Sequence, residues 1–319
     1  MIVKYWKIIE KRNLWFALSG LVILVGFGMM GIRMVHGEPI LNLGSDFAGG
    51  NTMVLRFDWL NEKHKQIGHN PVAFQDESSK FIGSIRSVLG QFGLENSAIQ
   101  ISSDQEVIIK TAKVTEDKST HIRDALTARL GPIEVLEIDY IGPAMGAELR
   151  NQSLLIIILV SVALMGYISW RFEFCYGVGA LAATLHDALV MISIASIFHV
   201  EVDTAFVAAL LTILGYSIND TIVIFDRIRD NLGAARASKQ PFDLATVINM
   251  SIRETIGRTI NTVVTVIIVL VSLIVFGGST LRPFCMVLLM GTLAGTYSSI
   301  FIASPMMAFA FRQAGSERK

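Results

Sequence analysis

The chain has 319 residues, 52% hydrophobic and 17% charged, and its 27 basic residues balance its 27 acidic ones. A neutral chain with so few charges offers no electrostatic footprint for nucleic acid, and this composition belongs to a bilayer rather than to water. The two cysteines, Cys175 and Cys285, lie in or beside apolar segments, so the polar region has neither a disulfide framework nor a cysteine-based metal site.

A hydrocarbon core about 30 Å thick takes about 20 apolar helical residues to cross. Six segments reach that length, at about 14–35, 153–170, 175–198, 204–225, 259–277 and 284–311. The first follows the basic stretch KYWKIIEKR. It is too long for the apolar region of a signal peptide and lacks a small-residue cleavage site, so it reads as a retained anchor. Basic residues in short flanks mark the cytoplasmic side. They gather before the first span (Lys4, Lys7, Lys11, Arg12), after the fourth (Arg227, Arg229, Arg236, Lys239, Arg253, Arg258) and in the tail (Arg312, Arg318, Lys319). The expected division is therefore a cytoplasmic N-terminus at 1–13, a first helix at 14–35, and an extracytoplasmic domain at 36–152. Helices 2–6 follow at 153–311 with a cytoplasmic loop at about 226–258, and a cytoplasmic tail occupies 312–319.

The region between the first two spans has soluble patterning. NTMVLRF (51–57) alternates like a half-buried strand, 75–92 has helical periodicity, and SAIQIS and EVIIKTA read as a hairpin around SDQ. A second helix at 115–131 has Thr115 as its cap and Gly131 as its stop, and 133–141 is a final strand. The order βαββαβ is that of a ferredoxin-like α+β sandwich. The stretch 61–76 reads as an inserted loop. In GSDFAGG (44–50), Asp46 with Gly49 and Gly50 fits a turn capped by aspartate, with glycines taking positive φ. His64, His69 and His121 in this region lack metal-ligand spacing.

The polar residues inside the spans carry the functional signal. Asp220 sits in an apolar run where a carboxylate costs roughly 2.5–3.5 kcal/mol on insertion scales. Tyr216 and Ser217 share its face of the fourth span, and Asn219 is adjacent. The fifth span begins at the same side of the membrane with Arg258, Thr262 and Thr265 at i, i+4 and i+7. A pair between Asp220 and Arg258 is the economical way to offset the buried charge. His186 and Asp187 add an imidazole and a second carboxylate near the middle of the third span. Groups held between desolvation and a nearby cation are candidate proton carriers. No phosphate-binding loop or H-E-x-x-H helix occurs. Asp187 and Asp220 are expected to be offset in depth by about 10 Å, too far for an aspartyl protease pair. The chain is thus read as a non-enzyme with no cofactor beyond a proton gradient.

Five motifs together resemble the SecF family, the smaller membrane subunits of the bacterial SecDF protein-export complex in the resistance-nodulation-division superfamily. They are GSDFAGG, IGPAMGAEL, WRFEFCYGVGALAATLHDALV, VDTAFVAALLTILGYSINDTIVIFDRIRDN and GRTINTVVT, and together they span essentially the whole chain. The resemblance implies a polytopic protein of six transmembrane helices in the bacterial inner membrane, paired with SecD and working with the SecYEG channel and YajC on unfolded preproteins. It implies use of the proton motive force at a late, ATP-independent stage of export. The family's proton-relay aspartate falls on Asp220, its arginine on Arg258, and its hydroxyl positions on Thr259, Thr262 and Thr265. Val263 and Val266 stand where the family commonly has further hydroxyls, and Asn261 where it often has an aliphatic residue, so the hydroxyl lining is thinner here. Two other functions fit the residues: a proton-coupled exporter of small molecules from the same superfamily, and a passive scaffold of the translocase.

Overall fold

A computed structural model of the chain describes residues 7–67, 71–95, 97–101, 106–112, 114–277 and 281–316. Six helices in it are long and apolar enough to cross a membrane. They are α1 (Arg12–Val35), α6 (Pro143–Arg171), α7 (Phe174–Ile197), α8 (Thr204–Ala237), α9 (Leu244–Phe276) and a last span that is not one regular helix. That span begins as α10 (Arg282–Ser298), widens into a π-helical turn (Ser299–Ala303) and ends as α11 (Ser304–Ser316). Helices α6 and α9 start well before their apolar runs, and α8 continues past its own. The polar stretch 226–258, expected as a loop, is therefore mostly helical, and the connection shrinks to residues 238–243.

Helices α7 and α8 and the last span form the centre of the bundle, whereas α1, α6 and α9 are peripheral. Close approach at the centre depends on small residues, as is usual where lipid supplies no hydrophobic drive between helices. A Cβ on Gly291 of α10 would lie 2.0 Å from the Ile213 side chain of α8, and one on Gly295 would lie 2.9 Å from Ser217 Cβ. Those two glycines bring the serines of α10 within reach of α8.

Between α1 and α6 lies an α+β domain. Its antiparallel sheet has the order β3-β4-β2-β5, formed by β2 (Gly50–Phe57), β3 (Ala98–Ile101), β4 (Glu106–Ala112) and β5 (Ile133–Ile141). Alternation in β2 and β4 turns Met53, Leu55, Phe57, Val107 and Ile109 toward α4 (Pro71–Gly90) and α5 (Glu116–Leu130). There they pack on Phe81, Ile85, Leu89, Ile122 and Leu126, and full burial of side chains this size is worth roughly 1.5–3 kcal/mol each. The 61–76 stretch, expected as a loop, contributes to α3 (Asp58–Ile67) and to the start of α4; residues 68–70 lie outside the described residues, as does the SDQ turn of the hairpin. Thr115 is at the N-cap of α5 without a side-chain bond, and Gly131 ends that helix at φ 95°.

The domain begins with β1 (Asn42–Leu43), which pairs in parallel with β6 (Glu201–Val202) in the link between α7 and α8. The short helix α2 (Ser45–Ala48) follows, and Gly49 leaves it at φ 73°, a conformation glycine adopts without strain. Gly50 is not a turn glycine and opens β2 instead.

Candidate functional site

Helix α8 carries Ser217, Asp220 and Thr221 into the bundle, all buried. The two directions these residues face have different polar character. Toward α7 and α10 the hydrogen bonding is continuous. Asp187 is fully buried, and its Oδ2 accepts from Ser217 Oγ at 2.5 Å. Its Oδ1 lies 3.0 Å from His186 Nδ1, and His186 Nε2 lies 2.9 Å from Ser19 Oγ on α1. Ser298 Oγ is 3.4 Å from Ser217 Oγ, while Ser299 Oγ accepts from Thr221 Oγ1 at 3.2 Å and itself donates to the Ser217 and Gly295 carbonyls. The π-helical turn starts at Ser299, and such turns open a helix's own ladder to neighbouring groups.

The chain of side chains therefore runs from Ser19 through His186, Asp187 and Ser217 to Ser298. Ser217 was expected to serve Asp220 and instead serves Asp187. Because Ser217 lies three residues from Asp220, about 4.5 Å along the axis, the two carboxylates are closer in depth than the sequence suggested. They remain chemically separate, since Asp187 is committed to Ser217 and His186.

Toward α9, at the level of Asp220, buried polar groups are left unpaired. Asp220 is 4% exposed, and its Oδ2 is buried without a hydrogen-bond partner. Tyr216 Oη approaches Thr262 without hydrogen-bond geometry, and Thr259 Oγ1 is also buried and unpaired. The expected ion pair is absent: Asp220 and Arg258 are not in contact, although Arg258 is the cation whose field reaches the carboxylate. Arg258, Asn219, Thr262 and Thr265 are exposed on the bundle's surface. The Thr262 hydroxyl bonds the carbonyls of Arg258 and Thr259, and the Thr265 hydroxyl bonds that of Thr262. The predicted stripe on α9 thus exists, but its hydroxyls close on their own helix and do not reach Asp220.

A buried carboxyl with free lone pairs and a cation at a distance can hold a proton or a charge with little rearrangement around it. The satisfied network beside it has no such freedom. Beyond Asp220 the helix is tied by charge: Asp226 meets Arg229 at 2.8 Å and Arg171 of α6 at 3.5 Å, and Arg227 meets Glu254 of α9 at 2.6 Å. The Arg171 and Arg229 guanidiniums both lie over the Phe172 ring.

Asp46 is placed far from these groups. Its carboxylate accepts from the backbone N–H and hydroxyl of Thr204 at the start of α8, so it caps a distant helix as well as standing in its own turn. Among the described residues no group of three or more His, Cys, Asp or Glu side chains has metal-site geometry. Sequence inspection did not single out Ser19, Thr221, Ser298 or Ser299. Their signal was only a hydroxyl inside an apolar run, which is common in spanning helices.

A family described as protein export membrane protein SecD/SecF, C-terminal, matches residues 121–313. The chain is 38% identical over 301 residues to the protein translocase subunit SecF of Sebaldella termitidis, covering 94% of this chain and 90% of that protein. It is 35% identical to the SecF of Desulfurispirillum indicum, covering 96% and 91%. The crystal structure of SecDF, a translocon-associated membrane protein from Thermus thermophilus, superposes with a TM-score of 0.73 at 25% identity; the match covers 100% of this chain and 40% of that one.

Proposed function

The chain belongs to the SecF family of protein translocase subunits, and from that premise we propose that this multi-pass membrane protein couples proton flow to a late, ATP-independent stage of preprotein export. In this reading it pairs with SecD in the bacterial inner membrane and acts on chains passing through SecYEG. The termini face the cytoplasm, and residues 36–152 face the opposite side. The likeness to a SecDF chain of which this protein matches 40% supports a partner that supplies the remainder. The sheet order β3-β4-β2-β5 with two helices on one face supports a ferredoxin-like outer domain.

The observation that carries the proposal is Asp220: a buried carboxylate on an apolar helix, one oxygen unpaired, with Arg258 near but not touching. A proton crossing about 100 mV releases about 2.3 kcal/mol, comparable to the roughly 2.5–3.5 kcal/mol that a charge costs inside the bilayer. Protonation of Asp220 removes its attraction to Arg258 and frees α8 to shift against α9. Tyr216 on α8 and Thr259 on α9 each leave a buried hydroxyl unpaired, and the exposed face of α9 with Arg258, Thr262 and Thr265 is where SecD closes the path.

The test is export of a reporter preprotein into inverted membrane vesicles containing SecD, with and without a proton gradient. The increment due to the gradient is expected to vanish in Asp220→Asn at equal expression. Retention of the full increment in that variant would place the protein among passive scaffolds.

A further inference from the structure

The α+β domain is fastened to the membrane helices in two places of unlike character. One is made mostly of backbone, with a single carboxylate added. The β1–β6 pairing, the bond from Gly44 N–H to the Val202 carbonyl at 3.0 Å and the capping of Thr204 by Asp46 hold residues 42–46 against the α7–α8 link. Helix α6 closes on the same segment so tightly that a Cβ on Gly146 would lie 2.9 Å from the Gly49 nitrogen. Apart from the Asp46 carboxylate, contacts of this sort have no side-chain freedom to spend.

The other fastening is a single charged side chain. Lys110, on the open face of the sheet in β4, places Nζ 3.4 Å from Asp203 Oδ2. Asp203 is also the N-cap of α8, its Oδ1 accepting from Phe206 N–H at 2.8 Å. A cleft of about 120 Å³, lined by Gln100, Lys110, Glu201, Asp203, Phe206 and Phe284, separates sheet from helix ends here. The ion pair therefore spans a gap rather than sealing a packed seam. Burial alone would lower the Lys110 pKa, but Glu201, Asp203 and Asp46 outweigh it and hold the ammonium above the ordinary lysine value. One cation serves three carboxylates.

Helix α8 connects this place to the candidate site. Asp220 follows Asp203 by 17 residues of unbroken helix, about 26 Å at 1.5 Å per residue, so an axial slide or tilt at Asp220 reappears at the cap. We propose that Lys110 is the positioning residue of a dissociable latch between α8 and the α+β domain, with residues 42–49 and Gly146 as the hinge on which the domain swings when the latch opens. The backbone fastening persists in both positions, and the ionic one is made in only one of them. The proposal rests on the proton-driven reading of Asp220 for what opens the latch, but its geometry can be judged separately.

The experiment uses the full chain reconstituted with SecD and SecYEG, spin-labelled at Glu137 on β5 and Phe198 at the end of α7, both exposed. Distance distributions and gradient-dependent export are recorded for wild type, Lys110→Met and Lys110→Arg. Lys110→Met is expected to give a longer, broader distance distribution and to lose most of the gradient-dependent increment, while Lys110→Arg keeps both near wild type. A wild-type distribution in Lys110→Met overturns the latch whatever export does. Absence of gradient-dependent export in the wild type would instead remove the proton-driven reading and leave the latch to be decided by the distances.

Discussion

The two polar sides of α8 differ in one respect that separates structure from work. Toward α7 and α10, Asp187 spends both carboxylate oxygens on Ser217 and His186, and His186 spends its second nitrogen on Ser19. Toward α9, Asp220, Tyr216 and Thr259 each leave a buried oxygen unpaired. Buried polar groups are ordinarily satisfied, and a cluster of exceptions needs a reason. A complete network specifies one packing of the helices, whereas an incomplete one keeps protonation and position adjustable. Under the proposed function, Asp187 holds the bundle together and Asp220 is the group whose protonation operates it.

Removing the satisfied carboxylate should give the largest change in stability. Asp187→Ala strands His186 and Ser217, at about 1–3 kcal/mol for each orphaned group, and thermal unfolding in detergent should show a clearly lowered midpoint. An unchanged midpoint would mean that the network is not a brace. Gly295→Val comes next. Its added carbons meet Ser217, and overpacking of this kind costs typically about 1–3 kcal/mol. Loss of midpoint should be accompanied by faster labelling of the buried Cys285 on the same helix as α8 and α10 part.

On the α9 side the sign reverses. Thr259→Val removes an unpaired buried hydroxyl and should be neutral or stabilising by up to about 1 kcal/mol; marked destabilisation would reveal a partner for that hydroxyl and blunt the contrast between the two sides.

The smallest effect lies at the α8 cap. Burial, with Asp203 and Asp46, pushes the Glu201 carboxyl above its ordinary value of 4.5 against the pull of Lys110. A carboxyl with a raised folded pKa contributes stability that is fully present below its unfolded value and is lost as pH rises through the folded one. Glu201→Gln, which mimics the protonated form, should therefore melt slightly higher than wild type at neutral pH, with the gap closing in acid. A gap that widens in acid would contradict the charge arrangement around Lys110.

Much of this was legible in the sequence because a bilayer enforces simple rules. Six apolar runs of sufficient length had to be helices, since hydrocarbon leaves the backbone no other partners, and Asp220 stood out as a charge where a charge is costly. The strands of the α+β domain followed from alternation at Met53, Leu55 and Phe57. The 61–76 stretch misled because its polar composition resembles a loop. The helices it enters carry core residues on its flanks, Leu60 on one side and Phe81 on the other. The partners of His186 and Asp187 were hidden for another reason: Ser19 is 167 residues away and Ser217 is 30, and a serine in an apolar run marks no particular neighbour. Nothing in the stretch EVIIKTA marks Lys110 out, and only the folded chain sets it against Asp203, 93 residues on.

The comparison between the two carboxylates is tested most directly by measuring gradient-dependent export for Asp187→Asn and Asp220→Asn side by side, each restored with SecD and matched for expression. An amide at 187 can still accept from Ser217, so that variant should keep its response to the proton gradient even if its melting point falls. The amide at 220 cannot exchange a proton, and its response should be gone with its stability intact. If both variants lose the response together, or if Asp220→Asn keeps it, the division of labour between the two sides of α8 is wrong.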